Sequence, residues 1–152
     1  MRGTVAAVLL VPLLAVSGCG GTGDWVSDYG KVAKGGKGTS VQVEVTPGQR
    51  FSLAVPENRS VGDDWDLVAL PDTKVASFIS EEHESEGDEP GSGGIAYFVF
   101  NGKQPGTTEI RLHDCWRCGQ DRTPATEESR RQSGEAVFTV TVRERPSTGV
   151  PR

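Results

Sequence analysis

The sequence predicts an all-β protein, an antiparallel β-sandwich of about seven strands. From residue 40 onward, apolar residues alternate with polar ones at a period of two, which is typical of strands with one buried face. Gly, Pro, Asn and Asp fall between these stretches, where the chain must turn. No 12-residue stretch shows the apolar period of a helix. Many short strands separated by such turns favour a sandwich with one core.

The strands can be placed in order from the apolar positions. Residues 95–100 are almost continuously apolar, which indicates a central strand buried on both faces. The other six strands alternate or are short, and their apolar positions are Val41, Val43 and Val45; Phe51, Leu53 and Val55; Trp65 and Leu67; residues 75–79; Ile110 and Leu112; and Phe138, Val140 and Val142.

Length and charge exclude several classes of protein. The chain has 152 residues and a formal net charge of −5, enough for one domain but a poor match to nucleic acid, whose phosphates require basic surface. Three Cys and two His leave few ligands for zinc. No nucleotide-binding loop, serine-hydrolase elbow or set of nucleophile and base is present, so we expect neither an enzyme nor a cofactor.

The first 18 residues read as an export signal. Arg2 precedes an apolar run over residues 5–16 that is too short to span a bilayer. The sequence from Val16 to Cys19 is similar to a bacterial lipoprotein signal, in which small residues precede the cysteine that becomes lipidated. We therefore expect an extracytoplasmic protein anchored to the cell membrane by lipid on Cys19. The alternative is an ordinary signal with a chance cysteine.

The expected chain after the signal has three parts. Residues 19–39 are rich in Gly, Lys and Ser and predict a flexible tether. Within them, Trp25, Val26 and Tyr29 either pack onto the domain or bind a partner. Residues 40–145 form the β domain, and residues 146–152 are a disordered tail.

Three connections between predicted strands do not look like core. They cover residues 57–62, 81–94 and 115–134, and the last two are longer than most loops of compact domains, which makes them functional or disordered. They follow the second, fourth and sixth strands. If the strands run up and down, alternate connections share one end of the sandwich. The sequence therefore predicts one composite site.

Three short motifs in these segments resemble a known family. Asn58 and Gly62 match the ends of an Asn-Pro-Thr-Thr-Gly loop that a tryptophan follows, here Trp65. Residues 91–94 match a Gly-x-Gly-Gly loop that opens a Phe-rich strand, and residues 95–100 and 103–107 match that strand and its turn. Trp116 starts the third motif, an Arg-Pro-Trp type of loop. Over residues 40–143 the chain resembles the chagasin-type inhibitors of papain-like cysteine peptidases.

The resemblance implies a fold, a partner and a set of site residues. The family has a β-sandwich of immunoglobulin-like shape, and its three loops form a wedge that covers the catalytic Cys/His pair of the peptidase without covalent chemistry. We expect a monomer, since nothing in the sequence indicates an obligate dimer. The matching residues here are Asn58, Arg59, Ser60, Val61 and Gly62 in the first segment, Gly91, Ser92, Gly93 and Gly94 in the second, and Trp116 and Arg117 in the third.

Two of the motifs depart from the family. Residues 59–61 replace Pro-Thr-Thr, which keeps a hydroxyl at Ser60 but loses the stiffness of proline. Cys115-Trp116-Arg117-Cys118 replaces Arg-Pro-Trp. A non-inhibitory binding module of the cell envelope, on the same fold, is therefore the second functional hypothesis.

Several site residues have a structural reading beside the functional one. The glycines of residues 91–94 allow either close backbone approach to a partner or a simple turn. Asn58 can hydrogen-bond its own backbone, and it also begins a glycosylation sequon. Trp65 reads as core. Trp116 and Arg117 are of the types enriched in binding hot spots, whereas the alternative for Trp116 is packing onto the sandwich.

Cys115 and Cys118 allow three interpretations. With Cys19 lipidated, they remain as a pair in an oxidising compartment, which favours a disulfide that stiffens the loop. A thioredoxin-like redox site would need a βαβ setting, and a metal site with His113 would have only three candidate ligands. The acidic run within residues 81–89 is a solvated loop, a surface that steers basic partners or a site for a hard cation.

Overall fold

A computed structural model describes residues 28–147 and residue 149. The described chain has eight strands and one short helix: β1 (Lys31–Lys34), β2 (Thr39–Val45), β3 (Arg50–Glu57), β4 (Trp65–Ala69), β5 (Ala76–Ser85), β6 (Gly94–Gly102), β7 (Gly106–Asp114), α1 (Glu127–Gln132) and β8 (Gly134–Val142). None of the helices in this range is long and apolar enough to cross a membrane.

The strands form two four-stranded sheets that face each other. The first has the order β1-β3-β6-β5 and the second β2-β8-β7-β4. Neighbouring strands are antiparallel except at one edge of each sheet, where β1 pairs with β3 and β2 with β8 in parallel. The all-β sandwich predicted from the alternating pattern is confirmed.

The core lies between the sheets. The inward-facing residues of β3, β6, β7 and β8 are fully buried and include Phe51, Phe98, Ile110 and Phe138. Trp65 is only 2% exposed and belongs to the same cluster, as its place within a predicted strand indicated. Its indole N–H donates to the carbonyl of Pro56, 2.9 Å away, so the polar end of this side chain is satisfied inside the core.

The domain begins earlier than expected, and the tether prediction is wrong for residues 28–39. In this region β1 pairs with β3, from Lys31 opposite Phe51 to Lys34 opposite Ala54, and β2 already starts at Thr39. Four residues with little apolar period are held because they add backbone hydrogen bonds to the edge of an existing sheet.

Tyr29 packs onto the domain, as one of its two readings proposed. Its ring stacks on Tyr97 with centroids 4.0 Å apart, and its carbonyl accepts a hydrogen bond from the buried hydroxyl of Ser52. Burial, followed by the nearby carboxylate of Glu84, raises the pKa of Tyr29 to about 12. Trp25, Val26, Cys19, the signal segment and residues 148 and 150–152 of the tail lie outside the described residues.

The two ends of the sandwich differ in length of connection. At one end, which we call the loop end, β3, β5 and β7 finish and three connections follow: the β3–β4 loop (58–64), the β5–β6 loop (86–93) and the β7–β8 loop (115–133). At the other end, which we call the base, tight turns join β2 to β3 and β6 to β7, and residues 70–75 join β4 to β5. The chain also enters β1 and leaves β8 at the base.

Candidate functional site

The three loops meet at the loop end. The side-chain amide of Asn58 donates to the carbonyl of Gly91 at 3.2 Å, which joins the β3–β4 loop to the β5–β6 loop. The Arg117 Nε donates to the carbonyl of Val61 at 2.9 Å, and the Arg117 backbone N–H donates to Gly62. The composite arrangement expected from the strand count is therefore present.

Asn58 organises the β3–β4 loop from within. Its Oδ1 accepts from the backbone N–H of Ser60 at 3.1 Å and from the Ser60 hydroxyl at 2.5 Å. Such a turn closed by an Asn side chain fixes the backbone without proline. Arg59, Ser60 and Val61 are exposed at the tip, with Val61 44% exposed. Asn58 therefore has the structural role that the sequence allowed, and the turn it closes leaves the next three residues exposed.

Gly62 allows the β7–β8 loop to pack closely against the β3–β4 loop. Its φ of 117° lies in the region that favours glycine. A Cβ at this position would come within 2.3 Å of the Arg117 Cγ. Any larger residue would therefore push Arg117 away from the β3–β4 loop.

The second segment is shorter than predicted. Residues 81–85, expected in a loop, continue β5 to Ser85, so the β5–β6 loop covers only 86–93. The register pairs Glu81 with Phe98 and His83 with Ala96. Charged residues suit an edge strand, whose open side faces solvent, and the sequence pattern alone did not show that these five residues pair with β6.

The glycines of the second segment have different roles. Gly91 has a φ of 89°, and its carbonyl is the one that Asn58 holds. Gly94 lies in β6, where a Cβ would come within 2.2 Å of the Glu84 carbonyl, so glycine is needed for close pairing with β5. Gly93 has room for a side chain, and Ser92 is half-buried beside it.

A disulfide and a helix shape the β7–β8 loop. Cys115 and Cys118 are joined, with their Cα atoms 5.5 Å apart, and Cys115 is 1% exposed. Trp116 between them is half-buried rather than fully exposed. The Arg117 guanidinium lies 4.4 Å from the Trp116 ring centre, a cation–π contact. Among the described residues, no group of three or more His, Cys, Asp or Glu could hold a metal ion.

Helix α1 fixes the backbone of Trp116. The buried Ser129 hydroxyl donates to the Trp116 carbonyl at 2.6 Å, and the Trp116 N–H donates to the Ser133 hydroxyl at 2.9 Å. The helix was not predicted, because six residues are too short for a period. A local signal exists: Thr126 caps the Ser129 N–H, acidic residues fill the first turn and basic residues the last.

A partly buried ionic cluster supports the loops from below. The Lys37 ammonium lies 2.6 Å from Asp114 Oδ2 and 3.2 Å from Asp63 Oδ1. The other Asp114 oxygen accepts the Asp64 N–H, and the other Asp63 oxygen accepts the Asn58 N–H. Lys37 precedes β2 and Asp114 ends β7, so the cluster connects two strands of the second sheet to the β3–β4 loop.

The pKa values of both Asp114 and Lys37 are shifted. Burial raises the pKa of Asp114 above its usual value, and the hydrogen bond and charge of Lys37 offset this only in part. Burial by itself would lower the pKa of Lys37, but the hydrogen bonds and charges of Asp114 and Asp63 outweigh it and raise that pKa. Lys37 therefore makes the largest contribution that favours the ionised form of Asp114 against burial.

A second charged cluster lies beneath Arg59. The buried Glu57 accepts from Arg59 Nε at 3.1 Å and contacts His83 Nδ1 at 2.7 Å. Glu81 contacts His83 Nε2 at 3.1 Å. Burial raises the pKa of Glu81, and the charges of His83 and Arg59 counter this. Sequence reasoning missed this cluster because it requires the pairing of β5 with β6.

We predict that Lys37→Met destabilises the domain by about 2 kcal/mol at neutral pH, because the buried Asp114 loses its cation. Lys37 is about one-third exposed, so the loss is smaller than for a fully buried pair. In the folded variant, Asp114 favours its protonated form. The free energy of unfolding of the variant therefore falls as pH rises above the ordinary pKa range of Asp. The difference from wild type should therefore be small in acid and full near neutrality, as measured by urea unfolding at several pH values.

The control is Lys34→Met, an exposed lysine on β1, which should change stability by less than about 0.5 kcal/mol. Equal losses at acidic and neutral pH for Lys37→Met would contradict the assignment.

Solved structures of cysteine protease inhibitors share this fold. The chain is similar to the crystal structure of the cysteine protease inhibitor EhICP2 from Entamoeba histolytica, with 15% identity and a TM-score of 0.50 over 74% of this chain and 96% of that chain. It is also similar to PbICP-C, solved in complex with falcipain-2, with 16% identity and a TM-score of 0.51 over 75% of this chain and 100% of that chain. At such identities the likeness shows the fold.

The sequence itself identifies the family. No curated protein matches the chain significantly. Residues 44–130 match the model of the chagasin family peptidase inhibitor I42. This match runs from the end of β2 into α1, includes all three motifs and covers more than half of the chain. The protein therefore belongs to the chagasin family of peptidase inhibitors and is not an enzyme.

Proposed function

We propose that this protein is a reversible inhibitor of papain-like cysteine peptidases, anchored to a bacterial cell membrane by lipid on Cys19. The observation that carries the proposal is the junction of the three loops into one edge through Asn58, Gly62 and Arg117. The family match and the complex of PbICP-C with falcipain-2 support a cysteine peptidase as the partner.

The edge suits binding rather than chemistry. Its outermost residues, Arg59, Ser60 and Val61, are exposed and follow one another on a turn that Asn58 closes. Arg117 holds the carbonyl of Val61 from the neighbouring loop. A tip fixed before binding loses little conformational entropy when it enters a cleft, so more of the contact energy remains as affinity.

Local devices compensate for the departures from the family motifs. The Asn58 side chain supplies the turn geometry that proline would otherwise impose on residues 59–61. In the third loop, the disulfide between Cys115 and Cys118 and the two serine hydroxyls fix Trp116. These contacts support inhibition over the envelope-module alternative, since a module without a cleft to fill has no need of a rigid tip.

Arg117 is positioned to act as an anchor in the interface. Among the described residues, no carboxylate lies within ion-pair distance of Arg117, which stacks on Trp116 at the loop end. Arg59 projects nearby and is more than half exposed. An exposed arginine beside an aromatic ring is a common anchor in protein interfaces.

The test of inhibition is a titration of residues 20–152, with the disulfide oxidised, against papain and a cathepsin-L-like peptidase. We expect saturable inhibition, and we expect Val61→Asp to raise the inhibition constant about 30-fold or more, the effect of losing a hot spot. The matched control is Val68→Asp, because Val68 is 50% exposed on β4, away from the tip. It should change inhibition by less than about threefold.

Two results would contradict the inhibitor proposal. One is no inhibition at about 10 μM, where weak interfaces of standard size still bind, and it would move the envelope module to first place. The other is an equal loss for both valine variants, which would place the contact elsewhere.

Membrane anchoring has its own test. Expression of the full chain in a bacterium that processes lipoproteins should yield a membrane-bound protein that starts at Cys19 and carries acyl chains, as mass spectrometry of the mature protein would show. Two or more acyl chains give a stable anchor, since each buried CH₂ adds about 0.8 kcal/mol. Cys19→Ser should leave the protein unlipidated, and a wild-type protein found free of lipid would contradict the anchor.

A further inference from the structure

Charge is segregated along the sandwich. The described residues carry a net negative charge, yet the base is positive. Outside the base, the described chain has sixteen carboxylates and eight cations. At the base there are four carboxylates, Asp28, Glu44, Asp72 and Glu144, and six cations, Lys31, Arg50, Lys74, Lys103, Arg143 and Arg145.

Backbone contacts bring the basic residues of separate connections together. The Lys103 N–H donates to the Val75 carbonyl at 2.8 Å, and the Gln104 N–H donates to the Lys74 carbonyl at 3.1 Å. The Arg143 N–H donates to the Val45 carbonyl at 3.0 Å. Arg50 begins β3 beside the end of β6. The cations therefore share one surface, although up to about 110 residues separate them in sequence.

Few of these cations are neutralised within the described residues. Arg143 pairs with Glu44 at 3.2 Å, and the Lys31 ammonium contacts a backbone carbonyl. Lys74 and Lys103 are exposed, and no carboxylate of the described chain lies within 4.0 Å of either ammonium. The connection that bears Lys74 starts with Leu70, which is 69% exposed.

The chain also enters the domain at the base. Because β1 runs parallel to β3, Asp28 precedes the first strand at the end where β3 begins, opposite the three loops. Asp28 lies nine positions after Cys19. A chain spans at most about 3.6 Å per residue, so a lipid on Cys19 would hold the base within about 32 Å of the bilayer.

We infer that the base is a docking surface for anionic phospholipid headgroups, which would orient the three loops away from the bilayer. Negative lipid surfaces attract clustered lysines and arginines, and Leu70 adds an apolar contact. The placement beside the membrane rests on the proposed anchor at Cys19, whereas the charge complementarity does not. A short tether raises the local concentration of lipid headgroups at the base, so modest affinity is sufficient.

The test uses residues 20–152, which lack the signal and Cys19 but contain the complete core. The probe is vesicle co-sedimentation, with phosphatidylcholine alone or mixed with phosphatidylglycerol. We expect binding to the anionic vesicles only, and we expect it to weaken as salt rises through about 0.15 M. Each cation near such a surface changes the partition roughly fivefold, so Lys74→Gln with Lys103→Gln should weaken binding about 25-fold.

The matched control is Arg130→Gln with Arg131→Gln, which removes the same charge from α1 at the loop end. It should change vesicle binding by less than about twofold. Thermal unfolding of both double variants checks that they fold. Equal binding to neutral vesicles, equal loss in the control, absence of binding to anionic vesicles, or dimerisation through the base would each overturn the inference. Peptidase inhibition in solution is measured separately, so a failure here leaves that proposal standing.

Discussion

The ion pair between Lys37 and Asp114 is the contact on which the loop end depends. Asp114 is fully buried at the end of β7, and a carboxylate there is stable as an anion only with a cation close by. Lys37 supplies it from the turn before β2 and also binds Asp63. Through the backbone N–H groups of Asp64 and Asn58, the same cluster holds both ends of the β3–β4 loop. The buried charge of Asp114, although costly, thus helps to fix the two ends of the loop that carries the exposed tip.

Above this cluster, short-range contacts replace flexibility with a defined edge. Asn58 closes the turn that exposes Ser60, and Gly62 leaves the space that Arg117 occupies. Arg117 in turn lies over Trp116, whose backbone two serine hydroxyls hold. These contacts are hydrogen bonds and packing interactions, and none of them is catalytic. Together they hold three loops in one arrangement before any partner arrives, which is what an inhibitor that acts by shape requires.

Much of the fold could be predicted because its signals are local and repeated. The alternating valines of β2 and the apolar run of β6 report a buried face directly, and the place of Trp65 within a predicted strand favoured the core. The convergence of the loops could be predicted because all three follow even-numbered predicted strands, and alternate connections share one end of a sandwich. The pairing of residues 31–34 and 81–85 could not be predicted in the same way, because their strands are held by backbone hydrogen bonds to β3 and β6 rather than by an apolar period. Helix α1 was missed because six residues are too short to show a period. The clusters around Asp114 and Glu57 depend on distant residues that only the folded chain brings together.

The two ends of the sandwich have separate tasks in this account, attachment at the base and recognition at the loop end. The central claim is that the three loops together contact the peptidase. Hydrogen–deuterium exchange of the domain with and without papain tests it most directly. The account predicts that added protection falls on residues 58–64, 86–93 and 115–118, with the amides of the base unchanged. Protection confined to one loop, or centred on the base or on the outer face of either sheet, would contradict it.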